Sequence, residues 1–367
     1  MKICFYNVTA GIHHGGFETY CWEVGRSLLA RGHQVTIVTG KGGFPRYRKI
    51  QFEEFPFTER NRFPDSGTRF RKLMERCSFA RKALPHLKDG PYDAVIVNKP
   101  FDFPALWWAR KRGMKTTNVF SSGGTDFFPG DRFFTSAIDF WVAASIYNAR
   151  QIRERYGHPV QAIYNGVDTD LFTDRGHRPE LRAQWSIPDQ APLIMSCGRL
   201  VGWKGLAVIV ESISAIPSVH YVVIGDGPAK GRLQQLARDF HVSGRVHFLG
   251  MITHDRLPEF LSQADIFVQP SIGEEAFGIS IIEAMACQRA VLASRNGGIV
   301  EVVLDGVTGF LLPPGDVGAW KEAIAGLQSK PGDLEAMGKE GHKRVVSEFT
   351  WAANAGKLEK LLLERKT

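Results

Sequence analysis

The chain has 367 residues, 44% of them hydrophobic and 23% charged, with a formal net charge of +8. That length suits two domains of ordinary size, each with enough apolar residues for its own core. No apolar run approaches the roughly 18 residues of a membrane span, and Met1-Lys2-Ile3-Cys4-Phe5-Tyr6 is too short for a signal peptide's apolar region, so a cytoplasmic globular protein is expected.

Short apolar runs alternate with helical patterns, as in parallel sheets covered on both faces. A first series of strands is read at Lys2–Asn7, Gln34–Thr39, Asp93–Val97, Thr116–Phe120, Phe140–Ala144 and Gln161–Tyr164, with helices such as Glu18–Ala30 between them. It closes at Asn165-Gly166-Val167-Asp168, and Asp174 to Pro179 reads as linker. A second series follows at Pro192–Cys197, His220–Ile224, Val246–Leu249, Asp265–Gln269 and Ala290–Ala293, with polar helices from Val317 onward. The five cysteines, Cys4, Cys21, Cys77, Cys197 and Cys287, lie scattered among these elements without CxxC or Cys/His spacing, so reduced, buried thiols are expected.

Each series has a Gly-containing loop after its first strand, Gly11 to Gly16 and Gly198 to Gly205, and such loops face the ligand crevice of an open parallel sheet. Two doubly wound domains facing each other would enclose a cleft. In the second loop Arg199 can grip phosphate oxygens in a fork and Lys204 can add a point charge, together neutralising a diphosphate. Val223-Ile224-Gly225-Asp226-Gly227-Pro228 ends a strand in a tight turn that lets backbone approach a ligand. A dinucleotide dehydrogenase is disfavoured: the first loop lacks G-x-G-x-x-G, and the second strand ends without a ribose-binding acid.

The most telling stretch is Glu274 to Ala286. Ile279, Ile282, Met285 and Ala286 recur at helical spacing, which predicts a helix starting near Gly278. Its first N–H groups and positive dipole end attract phosphate, and Gly278 has no Cβ to obstruct the approach. Glu283, about one turn along, can accept both hydroxyls of a ribose, while Glu275, ahead of the helix, can accept hydroxyls of a hexose on the second phosphate. Two glutamates by themselves more commonly complement the dipole or lie in solvent.

Taken in order, the motifs resemble family 4 of the retaining glycosyltransferases, which have the α/β GT-B fold, over nearly the whole chain. They are Gly15-Gly16-Phe17-Glu18-Thr19-Tyr20, Leu28 to Val35, Tyr164 to Phe172, Gly198-Arg199 with Lys204-Gly205, Gly225-Asp226-Gly227-Pro228, Val246 to Gly250, Asp265 to Ser271, the Glu275/Glu283 pair, Leu312-Pro313-Pro314 and Phe349-Thr350-Trp351. The resemblance implies an N-terminal acceptor-binding domain over 1–170, a donor-binding domain over 171–349, and a last helix, 350–367, crossing back. It implies Arg199 and Lys204 on the donor diphosphate, Glu275 on the transferred sugar, Glu283 on the ribose, and the backbone of Phe277, Gly278 and Ile279 on the terminal phosphate. Gly16 would approach that phosphate from the other domain. Arg199, Lys204 and Glu275 are the expected catalytic set. Glu274 is not equivalent to Glu275, because only Glu275 has seven residues between itself and Glu283.

A metal-independent, retaining hexosyltransferase acting from a UDP- or GDP-linked sugar is therefore implied, with a carbohydrate or glycolipid acceptor and no cofactor. The D-x-D sequence Asp168-Thr169-Asp170 is expected to help form a turn rather than bind metal. The chain departs from many relatives at Ser121 to Asp126, where they have a histidine near the reacting carbon. His13 and His14 stand in the first glycine loop, where contact with the acceptor and a pair without a role are both open. Other GT-B chemistry, phosphorylase-like cleavage or sugar-nucleotide epimerisation, and a catalytically silent nucleotide-sugar binder are the alternatives.

Much of the positive charge falls in 60–88, where Phe70, Leu73, Met74, Cys77, Ala80, Leu84 and Leu87 form a helical stripe. Two readings stand: a basic helix resting on anionic lipid, which would make the protein peripheral at the inner membrane face, and an ordinary helix packed on the sheet. Trp107-Trp108, Phe127-Phe128 and Phe133-Phe134 add either interfacial surface or core. Nucleic acid is not expected, because no aromatic stacking platform interleaves with the basic run. The loops at 40–69 and 121–135 carry no legible acceptor motif.

Overall fold

A computed structural model describes residues 1–12, 15–43, 49–328 and 331–364 of the chain. The His13–His14 pair lies outside the described residues, as do 44–48 of the expected acceptor loop and the end of the expected crossing helix. Two compact units result, Met1–Asn165 with Trp351–Thr367, and Gly166–Thr350.

In the first unit the parallel strands are β1 (Lys2–Tyr6), β2 (Gln34–Gly40), β3 (Gln51–Phe55), β4 (Ala94–Val97), β5 (Thr117–Ser122), β6 (Phe140–Ala143) and β7 (Gln161–Ala162), in the order β3-β2-β1-β4-β5-β6-β7. Helices α1 (Gly16–Ala30), α2 (Thr68–Asp89), α3 (Phe103–Lys111) and α4 (Ile146–Tyr156) connect them. Alternating side chains of β1 feed two cores: Ile3 and Phe5 join Tyr20, Val24, Leu28 and Leu358 on one face, while Cys4 and Tyr6 join Phe79, Phe103, Leu106 and Trp141 on the other. Burial on both faces is why these strands read as unbroken apolar runs. The last helix, Trp351–Leu363, packs with α1, and Trp351 meets Tyr20 edge-on.

The second unit repeats the plan with β8 (Leu193–Cys197), β9 (His220–Ile224), β10 (Val246–Gly250), β11 (Ile266–Gln269), β12 (Ala290–Ser294) and β13 (Gly309–Leu312), all parallel in the order β10-β9-β8-β11-β12-β13. Its helices are α5 (Pro179–Gln184), α6 (Leu206–Ser212), α7 (Lys230–Asp239), α8 (Leu257–Leu261), α9 (Ile279–Ala286), α10 (Ile299–Val302), α11 (Val317–Gln328) and α12 (Pro331–Glu348). In each sheet the winding reverses beside the first strand, between β1 and β4 and between β8 and β11. The loops leaving those strands diverge there and open a crevice at the carboxyl edge.

Strands β3 and β13 escape the sequence reading. Gln-Phe-Glu-Glu-Phe is a half-buried edge strand with two glutamates, and Gly-Phe-Leu-Leu is only four residues long. Strand β7 pairs over two residues, fewer than the four expected, because it is itself an edge. Cys77 is exposed, which corrects the expectation of uniformly buried thiols.

Helix α2 also differs from expectation. Its buried face carries Glu75, Arg76, Phe79, Ala83 and Leu87, so the packed stripe is rotated from the one read off the sequence, and Phe70 and Cys77 are exposed. The rotation follows from two polar anchors. Arg76 forms a buried ion pair with Asp102, and Glu75 accepts from Arg60 at 2.9 and 3.2 Å. Lys72 pairs with Asp126 at 2.6 Å. Much of the basic charge of 60–88 is thereby committed inside the unit. No helix among the described residues is long and apolar enough to cross a membrane.

At the outer strands of the second sheet, His220 and His247 stack, with ring nitrogens 3.0 Å apart. Burial and then His220 lower the His247 imidazole to about 4, and burial with Arg245 lowers His220. Both titrate below the ordinary value of 6.5. As pH falls from 6.5 towards about 4, the unfolded chain takes up protons the folded chain refuses, so stability declines through that window and the decline levels off below it. Thermal melts across this range are expected to shift less with pH for His247→Gln than for the wild type.

Candidate active site

The switch point of the second sheet gathers most of the residues singled out in the sequence. The loop after β8 carries Arg199 and Lys204, and the loop after β11 carries Glu275 and leads into α9. The two are stitched together, because the N–H groups of Ile272 and Gly273 both donate to the Trp203 carbonyl at 2.9 Å. Gly205 makes this possible. It has φ +67°, and a Cβ there would lie 2.0 Å from the Pro270 oxygen.

Lys204 consequently reaches Glu275, and the two form an ion pair. The Glu275 oxygen that accepts from Lys204 also accepts from Gln269 Nε2 at 3.0 Å and Ser271 Oγ at 2.9 Å. Its second oxygen takes no hydrogen bond from a described residue. One oxygen is anchored and the other remains available for a hydroxyl donor. Glu275 is 8% exposed, whereas Glu274 is exposed. The loop after β12 braces this segment: Gly298 N–H donates to the Glu275 carbonyl at 2.8 Å and Asn296 Nδ2 to the Gly273 carbonyl at 2.9 Å.

Helix α9 begins after Gly278, whose φ of +100° is left-handed, and no side chain caps it. Phe277 is buried against Phe349, ring centroids 5.6 Å apart, so only its backbone can serve a ligand. Ser280 Oγ donates to Gln269 Oε1 at 3.2 Å and joins the helix start to the Glu275 network. Further along α9, Glu283 is 7% exposed and accepts from His254 Nε2 at 3.0 Å through one oxygen. The His254 ring sits 4.9 Å from that of Phe172. The Cys197 thiol is pushed up by burial and by the Glu283 carboxylate, which puts the end of β8 beside this acid. Arg199 is exposed, and its guanidinium has no hydrogen-bond or ion-pair partner among the described residues.

The Gly225-Asp226-Gly227 turn packs closely against the loop after β8. A Cβ at Gly225 would lie 1.9 Å from the Gly198 oxygen, and one at Gly227 would lie 2.4 Å from that of Leu200. Leu200 N–H donates to the Asp226 carbonyl at 2.9 Å. The close approach is between two backbones, and it fixes the loop that carries Arg199. Asp168 likewise builds a turn, since its Oδ1 accepts from the N–H groups of Asp170 at 3.1 Å and Leu171 at 3.3 Å.

Gly16 belongs to the other unit, where it opens α1 and is exposed. Sequence reasoning missed His254, whose loop carries no motif. It also missed Lys99 at the first sheet's switch point, signalled only by Asn-Lys-Pro after an apolar run. Lys99 Nζ lies 5.0 Å over the Phe17 ring, and burial, reinforced by Arg76, lowers its ammonium to about 8.

Comparison with known proteins bears on the lineage and the fold. The model of the Glycosyltransferase Family 4 matches residues 14–171, and that of the Glycosyl transferases group 1 matches residues 177–344. A GDP-mannose-dependent alpha-(1-6)-phosphatidylinositol monomannoside mannosyltransferase of Mycolicibacterium smegmatis is 32% identical over 212 residues, covering 55% of each chain. The match thus takes in about half of that relative's length. A D-inositol 3-phosphate glycosyltransferase of Xylanimonas cellulosilytica is 29% identical, covering 92% of this chain and 88% of that one. Among solved structures, sucrose-phosphate synthase of Thermosynechococcus elongatus superposes with a TM-score of 0.83 at 23% identity, covering 99% of this chain and 98% of the other. Anabaena HepE in complex with UDP-glucose also gives 0.83, at 21% identity, covering 99% and 100%. At those identities the solved structures establish the fold, and the two family models, met in order along the sequence, establish the lineage: the chain belongs to family 4 of the glycosyltransferases, the glycosyl transferases group 1, with the GT-B fold.

Proposed function

We propose that the chain transfers a hexose, with retention of anomeric configuration, from a nucleotide diphosphate sugar to a hydroxyl of a carbohydrate or glycolipid in cell-surface polysaccharide or glycoconjugate synthesis. The observation that carries this reading is the Lys204–Glu275 pair at the switch point, with an open carboxylate oxygen on one side and the unpartnered guanidinium of Arg199 on the same loop as the lysine. A diphosphate donor draws Lys204 and Arg199 to its oxygens, and the hexose hydroxyls replace the lysine on Glu275. The two cations then lie where negative charge grows as the sugar–phosphate bond breaks, and stabilisation of developing charge accelerates the reaction. The backbone of Phe277 to Ile279, at the uncapped start of α9, meets the terminal phosphate. Glu283, held by His254, accepts the ribose hydroxyls. No metal is required in this scheme, because the leaving group's charge is met by side chains.

The acceptor belongs to the first unit, whose switch point carries Lys99. The donor nucleotide is UDP or GDP: one relative is GDP-mannose-dependent by name, and HepE was solved with UDP-glucose. Contact with an anionic membrane belongs to the same reading.

Lys204→Ala is expected to lower kcat roughly a hundredfold or more while the fold stays intact, because Gln269 and Ser271 still hold Glu275. Unchanged turnover would contradict the leaving-group role. Glu283→Ala should instead raise the donor KM about tenfold with a small change in kcat, since it removes charged hydrogen bonds made equally in ground and transition states. Thermal-shift measurements with UDP, GDP, ADP and their sugars should give a raised midpoint with UDP or GDP and their sugars alone. No shift with either would overturn the donor assignment.

A further inference from the structure

We propose that the face formed by α3 and the 3-10 turn Asp131–Ala137 docks the first unit onto a bilayer containing anionic lipid. Phe133 is 85% exposed and Trp108 is 49% exposed, which makes Phe133 the most solvent-exposed large apolar side chain among the described residues. Their neighbours hold this surface rigid. Trp107 packs edge-on against Phe134, with centroids 5.8 Å apart, and Arg110 Nη1 donates to the Ser136 carbonyl at 3.1 Å. Phe133 also borders a shallow depression of about 650 Å³, lined with Pro129, Gly130, Arg132 and Arg155.

The charge around these rings is mostly positive, since Asp139, the nearest acid after the turn, is paired with Arg110. Residues 103–115 contain no acid, and the single acid of 129–137, Asp131, is fully buried and satisfied by Arg155 at 2.6 Å and Tyr156 at 2.8 Å. Lys111, Arg112 and Arg132 are exposed and have no acidic partner among the described residues. Rings that enter the headgroup region, flanked by cations that meet lipid phosphates, are the chemistry of interfacial attachment. A single-stranded nucleic acid fits less well. The Trp107 and Trp108 faces are already covered by Lys111 at 5.5 Å and Arg112 at 4.8 Å, so no row of open rings is left for bases. Helix α2 keeps Arg69, Arg81 and Lys82 exposed, but Lys72 and Arg76 are consumed by internal ion pairs and the one large apolar side chain it exposes among the described residues is Phe70, at 39%, which makes it the weaker candidate for the same partner.

Flotation of the full chain with phosphatidylcholine vesicles, with and without phosphatidylglycerol, tests the assignment without using activity. The wild type should float with the anionic vesicles at low salt and be released at high salt. The double variant Phe133→Ser, Trp108→Ser should lose about tenfold or more of that binding, and Lys111→Glu with Arg112→Glu and Arg132→Glu should abolish the anionic preference. All these residues are exposed, so the thermal midpoint should hold. Arg69→Glu with Arg81→Glu and Lys82→Glu on α2, and Lys204→Ala in the donor site, should still float. Wild type that stays in solution, that binds both vesicles equally, or whose binding is removed by the α2 variant and not by the Phe133/Trp108 variant would overturn the proposal. Because Lys204→Ala floats whether or not it transfers sugar, failure here is distinct from failure of the proposed reaction.

Discussion

The chemistry of the second unit depends on one close approach between two loops. A parallel sheet sends successive strands to the same edge, and where the winding reverses, the segments after β8 and β11 have no helix between them. The Trp203 carbonyl takes two N–H donors from the opposing loop, and the absent Cβ of Gly205 lets the backbones meet. Lys204 and Glu275, 71 residues apart in sequence, become a pair as a result. Without this stitching the lysine would be one more solvated cation. With it, a buried carboxylate is held by three donors through one oxygen and left open at the other.

The same economy of side chains recurs around the site. Gly225, Gly227 and Gly297 stand where another backbone passes so closely that a methyl group would overlap it. Gly297 faces the carbonyl of Glu275 itself, with φ +55°. At these positions the missing Cβ lets two loops meet. A motif rich in glycine can therefore belong to a binding site by shaping its walls, with the ligand touched only by the residues those walls carry.

Legibility in the sequence followed burial. Strands such as β1 and β4, apolar on both faces, stood out as continuous runs, and the helix start at Gly278 was visible from the spacing of Ile279, Ile282 and Met285. The edge strands β3 and β13 were hidden because half-buried positions tolerate glutamates and short length. The stripe of α2 was misread for a related reason: Glu75 and Arg76 face inward, and a periodicity count scores them as outward. Each is buried only because a distant partner, Arg60 or Asp102, awaits it. In the site, Glu275, Glu283, Arg199 and Lys204 were legible through spacing and resemblance. His254 and Lys99 were not, because each owes its position to tertiary neighbours, Glu283 and Phe172 for the first, Phe17 and Arg76 for the second.

The pairing of Lys204 with Glu275 also bears on which anions the loop can hold. A small anion that attracts the lysine must leave Glu275 with only neutral donors, so part of its electrostatic gain is cancelled at once. Inorganic phosphate offers charge and nothing for the carboxylate. A ligand that brings oxygens for the lysine and hydroxyls for the glutamate recovers part of that loss. On the proposed reading, the ion pair biases the loop against phosphate that carries no sugar.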